Sequence, residues 1–394
     1  MKIAPFIQAV DRYNAAGPAE PIEHVLVHTG QHYDERMSAS FFDSLGIPAP
    51  DVNLQVGSGS HGVQLGQTMM AFEPVVVEYD PDWVVVVGDV NATLACSVIA
   101  KRLHKRVAHI EAGLRSGDIR MPEEINRLVT DRLSDLLLTP DRIASKHLAD
   151  EGVPAERIGF VGNIMIDTLE NNRKEAAGLR IADILTANGV AGQPAKPLDL
   201  TDGDYGLMTM HRPSNVDREN ILTALMEFLL DEATAELPIV WPIHPRTRKQ
   251  LQTFGLWERV LHHPRLVLLE PIGYHDMLRL NMGAKIMLTD SGGLQEECCV
   301  LGTPCLTLRW NTERPITLRE HGGASVLVGN DIARIREEFA TTLAQGNQPV
   351  SPELWDGGTA DRIVAAIVAA QAAVAEQAPA APELTKTRPY ENLA

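Results

Sequence analysis

Basic residues are in the minority in this chain, and long apolar runs are absent. Its 394 residues hold 35 Lys and Arg against 52 Asp and Glu, which gives a net charge of −17. That balance argues against nucleic-acid binding, although a local basic cluster can still hold an anionic small molecule. No stretch approaches the roughly 20 apolar residues of a membrane span. Residues 1–14 lack the apolar core of a signal peptide.

Cysteine is also scarce, and its positions exclude several kinds of site. The chain has Cys96, Cys298, Cys299 and Cys305, and no two of them have the CxxC spacing of a zinc or redox site. Free thiols of this kind are commonly buried. We therefore expect a soluble cytoplasmic protein with no metal, and with neither nucleic acid nor membrane among its partners.

Short β-branched runs alternate with helical patterns along most of the chain, which predicts parallel sheets built from βαβ units. A hydrophobic content of 44% can fill two cores. We predict an α/β fold of two doubly wound domains with a cleft between them. The predicted strands are 25–30, 83–89, 107–113, 136–140, 158–163, 205–212, 239–245, 266–271, 285–290, 304–310 and 324–329.

A less regular stretch between the two series of strands predicts the domain boundary. We place the N-terminal domain at residues 1–167 and the C-terminal domain at 168–358. The Ala- and Val-rich residues 359–376 have helical spacing and predict a final helix that returns to the N-terminal domain. The Pro- and Ala-rich residues 377–394 predict a mobile tail.

Polar side chains follow many of the predicted strands. The ligand crevice of an open α/β sheet lies outside the carboxyl ends of its strands, so these side chains point to one cleft. The densest stretch is HIEAGLRSGDIRMPEEINR, at 109–127, which holds more opposed charge than a structural loop needs. The polar residues at strand ends include Gln31, His32, Asp89, Glu111, His211, His244, Asp290 and Ser291.

The stretch LTDSGGLQEE reads as a strand, a Ser-Gly-Gly turn and the start of a helix. Backbone N–H groups at Ser291, Gly292 and Gly293 could then approach a phosphate at the positive end of the helix. Glu297, about one turn further, could accept hydrogen bonds from a ribose diol. An ordinary helix cap explains the same pattern without any ligand.

Acidic residues form the second candidate cluster. Asp89 follows a fully apolar strand, where helix capping is the simpler interpretation. Glu111, Glu123 and Glu124 belong to the charged stretch, and one of the last two could simply pair with Arg127.

Together these stretches resemble the UDP-N-acetylglucosamine 2-epimerase family, in its non-hydrolysing bacterial and archaeal branch. The matching motifs are TGQHYDERM, GDVNATLA, HIEAGLRSGD, MPEEINR, GNIMID, HRPSNVD, IHPRT, TDSGGLQEE and NTERP. The resemblance implies two Rossmann-like domains of the GT-B type, the second of which binds UDP. It also implies interconversion of UDP-GlcNAc and UDP-ManNAc, no cofactor, and a homodimer.

The resemblance also implies roles for particular residues. The acid/base candidates are Asp89, Glu111 and Glu123, with His211 beside the leaving group. The implied UDP contacts are Lys2, Ser291, Gly292, Gly293, Glu297 and Arg314. The residues that match a second, regulatory UDP-GlcNAc site are Gln31, His32 and His244. The arginine of that site is missing near Gln64, which argues against allosteric activation.

The implied chemistry explains why several carboxylates are needed. C2 of an N-acetyl sugar has no adjacent carbonyl, so a carboxylate cannot remove its proton directly. Departure of UDP from C1 makes that proton acidic, and elimination gives a 2-acetamidoglucal. Re-addition of UDP with a proton on the opposite face inverts C2, which calls for two proton-transfer positions. We expect Glu111 to act as the eliminating base, with Asp89 and Glu123 serving re-addition.

The start of the chain departs from the family. The family begins with an apolar strand that ends in Gly-Thr-Arg-Pro-Glu, whereas Met1 falls inside that motif and Lys2 is the first matching residue. The first strand of the N-terminal domain is therefore expected to be missing, which would leave its neighbours without a partner. We expect the natural start to lie upstream, because every later motif is intact; a damaged copy with reduced activity is the alternative.

Other functions remain open from the sequence. A hydrolysing epimerase would share these motifs and release ManNAc and UDP. A 2-epimerase could also act on a modified UDP-sugar, such as a 2,3-diacetamido uronate. A glycosyltransferase of the same architecture would need an acceptor site and gives no reason for three carboxylates near C2. An inactive UDP-sugar-binding protein would follow if the N-terminus is truly truncated.

Overall fold

Parallel strands form three sheets in this computed structural model, which describes residues 1–30, 45–194, 199–346 and 348–377. The strands of the first half are β1 (Val27–His28), β2 (Val52–Asn53), β3 (Trp83–Val87), β4 (Arg106–Ile110), β5 (Leu136–Thr139) and β6 (Ile158–Phe160). Those of the second half are β7 (Gly206–Thr209), β8 (Ile239–Pro242), β9 (Leu266–Leu269), β10 (Ile286–Thr289), β11 (Cys305–Thr307) and β12 (Ser325–Leu327).

Helices connect these strands. Those of the first half are α1 (Ile3–Ala15), α2 (His61–Tyr79), α3 (Asn91–Arg102), α4 (Pro122–Leu133), α5 (Arg142–Asp150), α6 (Ile164–Ala177) and α7 (Ile181–Asn188). The second half has α8 (Pro213–Val216), α9 (Glu219–Glu227), α10 (Pro245–Thr253), α11 (Trp257–Leu261), α12 (Tyr274–Gly283), α13 (Gly292–Leu301), α14 (Ile332–Gln345) and α15 (Thr359–Gln377). A π-helical turn, Phe228–Ala233, continues α9.

The strand order explains the apolar runs in the sequence. The first half has a four-stranded sheet, β3-β4-β5-β6, and a separate pair, β1-β2. The second half has a six-stranded sheet, β12-β11-β10-β7-β8-β9. All four residues of β5 are buried, as are all four of β8 and of β10. Parallel strands covered by helices on both faces need such continuous apolar sequences. The predicted α/β fold of two doubly wound sheets is confirmed.

Helix α15 packs against the N-terminal half. Its apolar face joins one core with α1, β4 and β5. The buried members of that core on α15 are Ala360, Ile363, Val364 and Ile367. Arg12 of α1 also pairs with Asp361 at 2.7 Å. Helix α15 is thereby fixed to the first sheet through contacts that the helical spacing alone does not specify.

The strands differ from the predictions mainly in length. The prediction of a strand over 25–30 holds only for Val27 and His28, and β2 has no predicted counterpart. Both are two-residue strands, too short for an apolar pattern to indicate. The domain boundaries remain predictions, and α6 spans the one placed at 167/168. Within the described ranges, no helix is long and apolar enough to cross a membrane.

Candidate active site

Residues that follow β3, β7 and β10 line one cavity with a volume of about 200 Å³. Both halves of the chain contribute acidic groups and arginines to its lining. The cavity therefore lies where the carboxyl ends of the two sheets meet, as expected for an open α/β architecture. Its lining residues are Asp89, Met121, Glu123, Arg127, Arg212, Gly292, Gly293, Glu313 and Arg314.

Asp89 is held on one wall of this cavity by α4. The buried guanidinium of Arg127 contacts the Asp89 carboxylate, and Asn126 donates to the Asp89 carbonyl at 2.8 Å. Arg127 also pairs with Glu124 at 2.5 Å. A guanidinium fixed by two carboxylates has little freedom, so the Asp89 side chain has a defined position. Asp89 does not cap α3 through its side chain.

Glu123 and Glu124 are neighbours on α4 with different surroundings. Glu124 is buried and accepts hydrogen bonds from the backbone N–H groups of Ser116 and Gly117, each at 2.9 Å. Burial opposes ionisation, but those N–H groups and Arg127 hold the pKa of Glu124 below its usual range. Glu123 instead lines the cavity. Of the two, Glu124 is thus the structural partner of Arg127.

Glu111 adopts an unusual backbone conformation at the end of β4. Its φ angle is 70°, in the left-handed region that non-glycine residues rarely occupy. The backbone N–H groups of Glu111 and Ala112 both donate to the Leu138 carbonyl at 3.1 Å. One carboxylate oxygen contacts Lys2 Nζ, and the other is buried with no hydrogen-bond partner among the described residues. Lys2 therefore lies beside the proposed base.

Asp290 organises the turn after β7. Its buried carboxylate accepts the backbone N–H groups of His211 and Arg212 and the side-chain amide of Asn215. Burial opposes ionisation, yet His211 and these N–H groups hold the pKa of Asp290 below its usual range. The rings of His211 and His244 lie 5.4 Å apart. His244, a match to the regulatory site, is thus next to His211.

The first turn of α13 forms a possible anion site. Gly292 and Gly293 line the cavity. The Ser291 N–H bonds to the Thr289 hydroxyl at 3.0 Å, and its side chain does not cap the helix. A Cβ atom on Gly292 would lie 2.9 Å from a Glu313 oxygen and 3.0 Å from an Arg314 nitrogen. A side chain at this position would press on the Glu313–Arg314 pair. The first N–H groups of a helix have no partner within the helix and can bind an anion.

Arg314 is buried between two glutamates. Its Nε atom lies 2.7 Å from Glu296, and its Nη1 atom contacts Glu313. Glu296 also accepts a hydrogen bond from Asn163 at 2.9 Å, which joins the two halves of the chain. Burial raises the pKa of Glu296, and Glu111 raises it further, although Arg314 opposes both effects.

Glu297 lies away from this arrangement, and two other candidates fall outside the described residues. Glu297 is buried beside Tyr274 and Asn281, and burial raises its pKa to about 7. It does not line the cavity described above, so its contact with a ribose remains a prediction. Gln31 and His32 lie outside the described residues. Of the predicted regulatory residues, His244 lies within the described ranges, and its ring is next to that of His211.

Several residues of the site received no individual role from the sequence. Arg212 lines the cavity, and its Nε donates to the Asp290 carbonyl at 3.0 Å. Burial and the neighbouring Arg309 lower the pKa of Arg212. Glu313 bridges Arg309 and Arg314. The position of Arg212 next to His211 at a strand end is the feature of the sequence that indicates a place in the site. No feature of the sequence indicates the ion pairs of Glu313.

The fold and the cavity define a class of protein, the α/β enzymes whose active site lies between two doubly wound sheets. The chain belongs to the UDP-N-acetylglucosamine 2-epimerase family, because the model of that family matches residues 15–368. This confirms the resemblance found in the sequence motifs.

Individual relatives agree with the family match. The UDP-N-acetylglucosamine 2-epimerase of Methanocaldococcus jannaschii is 38% identical over 366 residues, which are 92% of this chain and 94% of that protein. The UDP-2,3-diacetamido-2,3-dideoxy-D-glucuronate 2-epimerase of Pseudomonas aeruginosa is 38% identical over 92% of this chain and 96% of that protein. The crystal structure of the M. jannaschii enzyme with UDP-GlcNAc and UDP matches with a TM-score of 0.82, at 37% identity over 93% of this chain and 96% of that one.

Proposed function

We propose that this protein interconverts UDP-GlcNAc and UDP-ManNAc without hydrolysis. One observation carries the proposal: carboxylates from the N-terminal half and the first turn of α13 share one cavity. A helix start and arginines suit a diphosphate, and the carboxylates suit proton transfer on the attached sugar. Relatives bearing the UDP-N-acetylglucosamine 2-epimerase name support the choice of substrate.

The proposed reaction has two steps. In the first, the C1–O bond breaks and its electron pair leaves with UDP, while a carboxylate takes the C2 proton and a C1–C2 double bond forms. In the second, a UDP oxygen attacks C1 of the 2-acetamidoglucal, and a carboxylic acid delivers a proton to the opposite face of C2. The first carboxylate then gives its proton to solvent and the second takes one up, so atoms and charge balance over the cycle and no other reactant is consumed.

We assign Glu111 as the eliminating base, and Asp89 and Glu123 to the re-addition step. Glu111 has an unpartnered buried oxygen among the described residues, which suits a group that exchanges a proton. His211, Arg314 and the α13 N–H groups would stabilise the negative charge that develops on UDP. Lys2 contacts Glu111, so we propose that it shifts toward the diphosphate when substrate binds.

A modified UDP-sugar is the second candidate substrate, because the P. aeruginosa relative is as similar in identity as the archaeal one. Anion-exchange chromatography of reactions with UDP-GlcNAc and with UDP-2,3-diacetamido-2,3-dideoxy-D-glucuronate tests both. We expect UDP-GlcNAc to give a mixture with UDP-ManNAc. Turnover of the uronate alone would replace the proposal, and release of ManNAc with UDP would indicate a hydrolysing enzyme.

We infer that the protein acts as a homodimer in the cytoplasm. Val63, Met70 and Val77 of α2 are 47%, 70% and 64% exposed. Their seven-residue spacing puts them along one helix face, and exposed apolar stripes of this kind mark interfaces. The four cysteines are all free thiols, which suits a reducing compartment.

A further inference from the structure

His109 of β4 is fully buried between two hydrogen-bond acceptors. Its Nε2 atom lies 2.8 Å from the Gly88 carbonyl oxygen, and its Nδ1 atom lies 2.6 Å from Asp131 Oδ1. The side chain has no solvent exposure. A carbonyl oxygen can only accept, so Nε2 has to carry a hydrogen. The protonation of Nδ1 then depends on the state of Asp131.

Asp131 is surrounded by hydrogen-bond donors, which favour its ionised form. Its second oxygen accepts the backbone N–H of Gly113 at 3.0 Å and Arg115 Nη1 at 2.6 Å. Burial opposes ionisation, yet His109 and Arg115 hold the pKa of Asp131 below its usual range. An ionised carboxylate has no hydrogen to donate, so Nδ1 of His109 carries one as well. With Asp131 ionised, both ring nitrogens of His109 act as donors, to Asp131 and to the Gly88 carbonyl.

This pair contacts the backbone just before Asp89, at Gly88, and shortly after Glu111, at Gly113. Gly88 immediately precedes Asp89, and His109 and Gly113 flank Glu111 at equal distance in sequence. Glu111 has a φ angle of 70°, and strained backbone of this kind persists only where surrounding contacts fix it. Asp131 anchors the segment after Glu111, while His109 connects the segment before it to the turn that carries Asp89.

We propose that His109 and Asp131 form a buried positioning ion pair that sets the separation of Asp89 and Glu111. The proposal rests on the proposed function, because those two carboxylates are its proton-transfer groups. His109 itself is not among the residues that line the cavity; it acts through the backbone. Loss of either partner leaves the other charge buried and unpaired, so the turns move relative to each other.

Nitrogen-15 NMR of the histidine rings tests the charge state. The labelled full-length protein is compared with H109Q, which identifies the His109 signals among the 13 histidines. We expect both ring nitrogens of His109 to be protonated near neutral pH, with slow hydrogen exchange. A ring with one unprotonated nitrogen would overturn the ion pair. This readout needs no turnover, so it stands even if the proposed function fails.

Steady-state kinetics tests the positioning role. In H109Q and D131N we expect kcat to fall by about 100-fold, as for a misplacement near 1 Å, with KM changed less than about threefold. H275N is the control, because His275 bonds to Asn172 at 2.8 Å and lies outside the cavity lining. Folded variants, by circular dichroism, with unchanged kcat would overturn the role. If neither variant folds, the His109 ring signals are assigned in the unsubstituted protein by correlation with its own backbone resonances, and a ring with one unprotonated nitrogen overturns the proposal.

Discussion

Asp290 and His211 face each other across the ends of two neighbouring strands, with Asp290 Oδ1 3.0 Å from His211 Nδ1. The same carboxylate accepts the backbone N–H of His211. Asp290 is fully buried, whereas the His211 side chain is 41% exposed. The aspartate therefore fixes both the backbone and the ring of a residue that we place beside the leaving group.

Replacement of Asp290 by Asn should lower stability in a pH-dependent way. The pKa of Asp290 is lowered in the folded protein, so its contribution is fully present above the unfolded-state pKa of about 4. That contribution is lost as the pH falls through the folded-state pKa. Loss of the charged acceptor should cost about 3 kcal/mol of unfolding free energy at neutral pH. Urea unfolding of both proteins at a series of pH values measures this; a difference that does not shrink in acid would contradict it.

The two glutamates at the start of α4 should separate catalysis from stability. E123Q should lose about 100-fold or more in kcat, as expected for a general acid or base. Its melting temperature should stay close to that of the unsubstituted protein. E124Q removes the negative charge beside Arg127 and replaces one of the two oxygens that accept from Ser116, Gly117 and Arg127 with an NH2 donor. It should lower the free energy of unfolding by about 2 kcal/mol. Initial rates and calorimetry on the two variants check both expectations. Equal loss of kcat without loss of stability in E124Q would contradict this division.

A methyl group at Gly292 should weaken binding of UDP. The added Cβ would lie 2.9 Å from Glu313 and 3.0 Å from Arg314, so G292A should displace the arginine that we expect to contact the diphosphate. The dissociation constant for UDP should rise about tenfold, the loss of one charge-assisted contact. Isothermal titration measures it. G66A on α2 is the matched control, because a Cβ there meets nothing within 4 Å; equal affinities of the two variants would remove α13 from the site.

The exposed stripe on α2 should be an interface between two copies of the chain. M70E and V77E together should convert a dimer to a monomer, because a buried unpaired carboxylate is costly in an apolar interface. Light scattering after size-exclusion chromatography gives the mass. A333E, at an exposed position on α14, serves as the control. A dimer that survives the double substitution would place the interface elsewhere, and a monomeric parent protein would remove it.

The sequence predicts the sheets well where burial dictates composition. Residues 136–140 and 239–245 read as strands because strands covered on both faces need unbroken apolar runs, and β5 and β8 lie within them. The pair β1-β2 has only two residues in each strand, and no period can be recognised over that length. The strand-end rule likewise leads to Asp89 and Gly292, since it depends on topology alone.

The sequence does not predict which of two adjacent side chains faces the site. Successive residues on a helix point about 100° apart, so Glu296 and Glu297 cannot share an environment. The structure pairs Glu296 with Arg314 and buries Glu297 beside Tyr274. Such pairings depend on the rotation of a helix against its sheet, which tertiary packing sets. The sequence also does not reveal the His109–Asp131 pair. Its members are 22 positions apart, on β4 and α4, and only tertiary packing brings them together.

Proton NMR of the protein with UDP-GlcNAc in deuterated water tests the central claim most directly. Elimination and re-addition exchange the C2 proton with solvent, so we predict that UDP-ManNAc appears with deuterium at C2 and that the remaining UDP-GlcNAc also acquires it. UDP-ManNAc that retains the C2 proton would contradict proton transfer through the carboxylates. The protein is used at a concentration at which a known relative converts UDP-GlcNAc. A spectrum that stays unchanged under those conditions would contradict the proposed substrate.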